Sequence, residues 1–486
     1  MKLRLIPKLA IEYHHPKGLK CETDMEYARI ATEIAGEMEK LRIPDISAEG
    51  LKLIAVNVSM YFEDVVADAG IWRGFTDLMK KHYGRLIPFF DIDEDMYYAD
   101  EPNLEAVKFI VWYTMLEVHH GRVANPESPV LYELAETAYK VLDKHFETVS
   151  VNENLKDYFA KPQFLDDFYK QRDILKWLCF GCYLTYVPNL ENRLFNKAHE
   201  LVENMHIGMN FAIYLAECLM PYANKIGPLG ILPQEWAAAI LQANGNDDAA
   251  EKVREQRDKT FRGYKVASAE IDKSITLQDV DGETFTITSD ELNNPEPEIY
   301  EHKIVFASFV KYGERWYLNG NMASGNNQEI FDAQREDYEG KEKLGSVYEK
   351  LRKESSLYYF ADTKSLKEFL LKNLPFDEDV KKNFSLPDGH ENIALYIPAD
   401  NHDDFQILPD AALCIKDERN PYYNQKVALN QAFNLALSLD EEVRDYIIDH
   451  HLLPDATINS SKGIKRGNEI VQQNFKFITR AVISRL

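Results

Sequence analysis

The sequence predicts a multidomain protein, mainly α with α+β. It has an N-terminal helical domain over 1–260, a small antiparallel β-barrel (SH3-like or OB-like) over 261–325, and a C-terminal α+β domain over 326–486. Three observations predict this. Apolar residues recur at three- and four-residue steps almost without a break to about 260. Near Gly263 the period changes to two, with two hairpin signals. From 326 onward both periods alternate.

Residues 1–20 read as irregular, because Pro7, Pro16 and Gly18 interrupt any period. Thr23 or Asp24 then caps a helix to Glu39, with Met25, Ala28, Ile34 and Met38 near one face, and Pro44 closes it. The stretch 51–90 organises the helical part. Leu51, Ile54, Ala55, Val58, Phe62, Val65, Val66 and Ala69 form one stripe, with Gly70 as the left-handed closing residue. Ile71, Trp72, Phe75, Leu78, Met79 and His82 form a second, ended by Gly84 and Pro88. Only a tight helix–helix corner fits between them. Glu63 and Asp64 lie about 120–140° from the stripe centre at Val58. They read as a flank facing solvent or capping a neighbouring loop, or as a carboxylate pair turned toward a ligand.

The acidic loop 91–103 lacks the Asp/Asn ladder and fixed glycine of a helix–loop–helix calcium site. Asn103 caps a helix over 104–120. Further helices follow over 128–147 and 163–186, over 190–225 as one or two, and from Pro233, and 246–262 is a charged, Ala-containing run. The phrases YFEDVVADAGIWRGFTDLMKKHYGRLIPFF, YYADEPNLEAVKFIVWYTM and LPDAALCIKDERNPYY resemble an uncharacterised bacterial family, a domain of unknown function. The resemblance extends over most of the chain and implies no activity, cofactor or catalytic residue.

SITLQDVDGETFTITS reads as two strands joined at Asp281–Gly282, and KIVFASFVKYGERWYLNG as a hairpin turning at Gly313. With Tyr264–Ile271, about five strands fall within roughly 60 residues, enough for a small barrel. Residues 326–356 return to charged helix, TKSLKEFLLKNL is a helix, and NIALYIPAD and FQILP are short strands. A capping box from Ser438 to Glu441 opens a helix to His450, and a last helix covers 464–484.

The net charge of −24 opposes general nucleic-acid or anionic-membrane binding, and acidic residues outnumber basic ones within 262–321. The ends are basic: residues 1–20 carry five Lys/Arg against one Glu, and 462–486 carry six against one. They meet each other in the fold, or they offer a contact to an acidic partner. There is no secretory leader, and the longest apolar run, Trp177–Val187, is too short to span a bilayer. Five scattered cysteines make no disulfide framework, so the expectation is a cytoplasmic protein with free thiols.

Candidate sites are sparse. Cys179-x-x-Cys182 sits between apolar helical flanks and reads as core. Glu117-x-x-His120 and Glu203-x-x-His206, with Glu63 or Asp64 and Asp166 or Asp167, have the spacing of a di-metal helical bundle; Glu12 and His15 repeat it. His119–His120 and His450–His451 read as helix-end pairs. Asp417, Arg419 and Asn420 with Tyr422 and Tyr423 either form a structured turn or grip a polar ligand. With Tyr61, Glu63, Asp64 and Trp72 they are the candidate binding residues. Nucleophile-elbow, phosphate-loop and zinc-protease motifs are missing, and no cofactor is expected. Two functions compete. One is non-catalytic binding of an unknown protein or peptide, with Tyr312, Trp316 and Tyr317 as a surface patch. The other is an enzyme with a carboxylate/histidine site, possibly di-metal, in the helical domain.

Overall fold

A computed structural model describes residues 6–17, 19–161, 167–205, 207–292, 299, 301–375, 378–387, 389–400, 403–454, 458 and 465–485. The described residues open on a helix where the sequence suggests a breaker. Pro7 opens α1 (Pro7–His14), because a first-turn proline loses no hydrogen bond and already has helical φ. Next come α2 (Asp24–Lys40), α3 (Ala48–Ala67) and α4 (Ile71–Tyr83). Ser47 caps α3 by accepting from the Gly50 N–H at 3.1 Å. The residue closing α3 is Asp68 (φ 53°), and Gly70 (φ 87°) is instead the N-cap of α4. A side chain on Gly70 would meet Asn244 at 2.5 Å, so both the turn and the close approach require glycine there.

The helical part continues through α5 (Leu104–Val118), α6 (Pro129–Phe146), α7 (Glu153–Ala160), α8 (Phe168–Phe180), α9 (Leu190–Met205), α10 (Met209–Ala223), α11 (Pro233–Ala243) and α12 (Asp247–Arg254). The change to strand comes at Arg257, six residues before Gly263. Lys259 and Arg262 stand on β1 (Arg257–Glu270) and pair with Asp279, so their charge hides the strand period.

The antiparallel sheet adds β2 (Ser274–Gln278), β3 (Thr284–Thr288), β4 (Ile304–Tyr312), β5 (Arg315–Leu318) and β6 (Ala323–Gly325). Its order is β3-β2-β1-β4-β5, with β6 also on β4. Register shifts at Lys259/Arg262 and Val266/Ser268 bend the long β1, and β3 meets β5, so the sheet nearly closes into a barrel. Tyr264, Phe285 and Phe309 fill it with mutual ring distances of 5.3–5.5 Å.

The tail is α+β: α13 (Gln328–Glu354), β7 (Leu357–Asp362), α14 (Thr363–Asn373), α15 (Glu378–Asn383), β8 (Glu391–Tyr396), β9 (Gln406–Leu408), α16 (Gln425–Ser438) and α17 (Glu441–Asp449). β7, β8 and β9 form a second antiparallel sheet. The expected capping box at 438–441 does not form. Ser438 ends α16 with its hydroxyl on the Leu435 carbonyl at 2.8 Å, and Asp440 precedes α17 without a side-chain cap.

The helix expected over 464–484 is two, α18 (Lys465–Gln473) and α19 (Phe475–Ile483). Asn474 breaks it, its Nδ2 donating to the Ile470 carbonyl at 2.7 Å. α19 lies in the core of the first helices. The Phe477 ring is 5.6 Å from Phe89, 6.1 Å from Phe109 and 6.3 Å from Trp112. The basic residues here meet acidic ones of the body and tail: Arg466 with Asp91, Lys476 with Asp449, Arg480 with Asp445 and Arg485 with Glu117. The barrel also docks on the helices. Phe168 stacks on Tyr317 at 4.8 Å and lies 6.3 Å from Tyr312, so these rings do not form the surface patch that peptide binding calls for. No helix among the described residues is long and apolar enough to cross a membrane.

Truncating Phe477 to Ala opens a void among five-membered and six-membered rings at the centre of this core. Urea denaturation will show a loss of about 3–5 kcal/mol.

Candidate metal centre

Glu63 and Asp64 are consecutive on α3, so their side chains leave the helix about 100° apart. Neither faces solvent: Glu63 is 0% and Asp64 2% exposed. Two buried carboxylates need two sets of partners.

Asp64 secures the corner. Its Oδ1 accepts from the Ile71 N–H at 3.1 Å, and its Oδ2 from the Trp72 N–H at 2.6 Å and the Tyr183 hydroxyl at 3.0 Å. It thus satisfies two orphan amides in the first turn of α4, whose N-cap glycine has no side chain to do so. Burial, partly offset by these donors, pushes its pKa up to about 6.

Glu63 gathers three helix ends. Its Oε1 accepts from Asn152 Nδ2 at 2.7 Å and from the Thr23 hydroxyl at 3.4 Å, and its Oε2 pairs with His15 Nε2 at 2.9 Å. His15 follows the last residue of α1, Thr23 precedes α2, and Asn152 caps α7 by accepting from the Leu155 N–H at 3.1 Å.

The other nitrogen of His15 looks into a second cluster. His15 Nδ1 lies 3.4 Å from Asp24 Oδ1, and these two atoms and Cys21 Sγ all lie within 4.8 Å of one another. Both atoms are buried; Asp24 Oδ1 has no hydrogen-bond partner, and Nδ1 faces the Cys21 sulfur. Burial is the largest influence on His15 and opposes its charging. The charge of Glu63 and hydrogen bonds with Cys21 and Glu63 outweigh it and raise the pKa to about 10. The negative field that favours an imidazolium here also favours a metal cation.

The donor set suits a borderline-soft divalent ion such as zinc: one imidazole, one thiol and one carboxylate. Bonds of about 2.0–2.1 Å on a tetrahedron place nitrogen and oxygen about 3.3 Å apart, close to the observed separation. Glu63 on the far nitrogen directs the Nδ1 lone pair at the ion, the usual carboxylate–histidine–metal relay. Among the described residues this is the one group of three or more His, Cys, Asp and Glu whose donor atoms converge.

The other candidate residues are distributed differently. Tyr61 is buried, its hydroxyl accepting from the Asn103 N–H at 3.1 Å, and its ring stands edge-on to Trp72 at 4.9 Å. Trp72 Nε1 donates to the Tyr97 hydroxyl at 2.7 Å. Around 417–423, Arg419 Nη2 donates to Asp417 Oδ2 at 2.6 Å, and the Tyr359 hydroxyl donates to the same oxygen at 2.9 Å. Asn420 Nδ2 donates to the Ala412 and Ile415 carbonyls, and its Oδ1 accepts from the Tyr422 N–H at 3.0 Å. Tyr422 is half-buried, and Tyr423 packs against the main core.

Of the di-metal set, Glu117 pairs with Arg485 at 3.3 Å, His120 is exposed with φ 50° beyond the end of α5, and Glu203 is exposed on α9. His206 and Asp166 lie outside the described residues. Asp167 caps α8 by accepting from the Lys170 N–H at 3.2 Å. Cys179 and Cys182 are buried, and burial raises both thiols, Cys182 to about 11. Sequence reasoning missed Cys21, Asp24 as a ligand, and Asn152. The available signal was the short His15–Cys21–Asp24 spacing around a predicted helix start.

The family described as "Protein of unknown function (DUF3843)" matches residues 4–279 and 319–484. The chain belongs to this family. The DUF3843 match takes in His15, Cys21, Asp24, Glu63 and Asn152, while β3, β4 and β5 of the barrel fall between its two stretches. No curated protein matches the chain. No solved structure matches it.

Replacing Glu63 with Ala leaves His15 and Asn152 buried without their acceptor. Urea titration will register a loss of about 3–5 kcal/mol, and Glu63→Gln, which keeps one acceptor oxygen, will lose less.

Proposed function

We propose that this is a non-catalytic binding protein whose ligand is a divalent transition-metal ion of zinc type, held by His15, Cys21 and Asp24. The observation that carries the reading is the convergence of three chemically matched donors, with Asp24 Oδ1 buried and without a hydrogen-bond partner. In this reading the metal fastens the segment between α1 and α2 onto α3, since His15 and Thr23 both reach Glu63. A cytoplasmic setting suits five unpaired cysteines.

A second reading rests on the ligand count. Three protein donors leave a fourth tetrahedral position for water, as in hydrolytic zinc sites. That makes a metal-dependent enzyme the alternative. Cobalt substitution separates the two. A visible spectrum that shifts on adding azide means an exchangeable fourth ligand and favours the enzyme; an unresponsive spectrum favours the closed, structural role.

After reduction, zinc loading and dialysis, elemental analysis will find about one zinc per chain. His15→Ala, Cys21→Ser and Asp24→Ala will each lower it, and a chelator will lower the Tm of the parent protein. Full zinc retention in Cys21→Ser, or none in the parent, contradicts the reading.

A further inference from the structure

A second buried charge lies on α8, away from the metal donors, and its guanidinium bonds the Tyr214 hydroxyl with only part of its donors. Arg172 is 7% exposed, yet its Nε and Nη1 are buried without a hydrogen-bond partner. Its guanidinium lies 5.1 Å from the Tyr169 ring and 5.9 Å from that of Phe168. One helical turn on, Lys176 places its Nζ 5.1 Å over the ring of Tyr214 on α10. Among the described residues neither cation forms an ion pair, although the charge of Asp173 acts on Arg172. The Tyr222 hydroxyl, also on α10 and within the field of Arg172, is buried and unpartnered as well.

The barrel covers this place. Tyr317 of β5 stacks on Phe168, and Asn319 Nδ2 donates to the Cys218 carbonyl of α10 at 3.0 Å. The seam therefore holds a desolvated guanidinium, an ammonium one turn away and a free hydroxyl, in a chain whose net charge is −24. Burying a guanidinium without a counter-charge is costly. The unused donors are those an oxyanion would fill, and the aromatic walls strengthen charge-assisted bonds by excluding water.

We propose that the seam between α8, α10 and the barrel binds a small oxyanion, phosphate or carboxylate, through Arg172, Lys176 and Tyr222. The site is independent of the metal centre. Thermal unfolding and calorimetric titration of the full chain will test it, using inorganic phosphate and acetate at constant ionic strength set with chloride. At least one of the two will raise the Tm saturably, and the stronger will identify the headgroup. Arg172→Met will abolish the rise, and Lys176→Met, a change at a partly exposed position, will weaken binding about tenfold. Should Arg172→Met fail to fold, Lys176→Met and Tyr222→Phe carry the test. No saturable rise with either anion, or equal binding in these variants and the parent, overturns the proposal.

Discussion

The helical body depends on one constraint: a carboxylate with no exposed surface must be given donors from within the chain. Glu63 meets it by drawing in His15, Thr23 and Asn152, which sit at the ends of three different helices. A single side chain thereby fixes where α1 ends, where α2 starts and where α7 starts. Its neighbour Asp64 plays the same part for the α3–α4 corner by holding the first amides of α4. Adjacent positions on one helix thus tie the two sides of α3 to different neighbours, and packing alone would not specify either contact so narrowly.

The chemistry follows from the same arrangement. With Nε2 committed to Glu63, His15 presents Nδ1 to Asp24 and Cys21, so the structural pair orients the candidate ligand. The adjoining segment is anchored as well: Trp177 Nε1 donates to the His14 carbonyl at 2.8 Å, and His14 Nδ1 is bonded to the Gly181 carbonyl. The loop that carries Cys21 therefore departs from a fixed point on α8. The seam around Arg172 begins on that same helix and faces the barrel instead. α8 thus borders both a place that favours a cation and a place that favours an anion.

Much of the fold was legible in the sequence because period and turn chemistry agree there. The 51–83 helix pair, the Asp281–Gly282 and Gly313 hairpins and the α+β tail all carry strong local signals. The misreadings have local causes too. Pro7 opens a helix, Asn474 splits one, and the salt-bridged Lys259 and Arg262 disguise the start of β1. The binding residues were less accessible. Glu63 lies off the apolar stripe, so its angle on the helix suggested solvent; its burial is set by α1, α2 and α7, whose docking no local pattern reveals. Cys21 and Asp24 converge with His15 only after the loop between α1 and α2 folds back. The roles of Tyr312 and Tyr317 likewise depend on Phe168, more than 140 residues earlier in the chain.

Membership of a family without a known activity places the weight on the donor atoms themselves. The most direct measurement is X-ray absorption at the zinc edge on the zinc-loaded chain. The account predicts a four-coordinate ion with one sulfur at about 2.3 Å and nitrogen or oxygen neighbours at about 2.0–2.1 Å. A shell without sulfur, or a six-coordinate shell of oxygen alone, would contradict it.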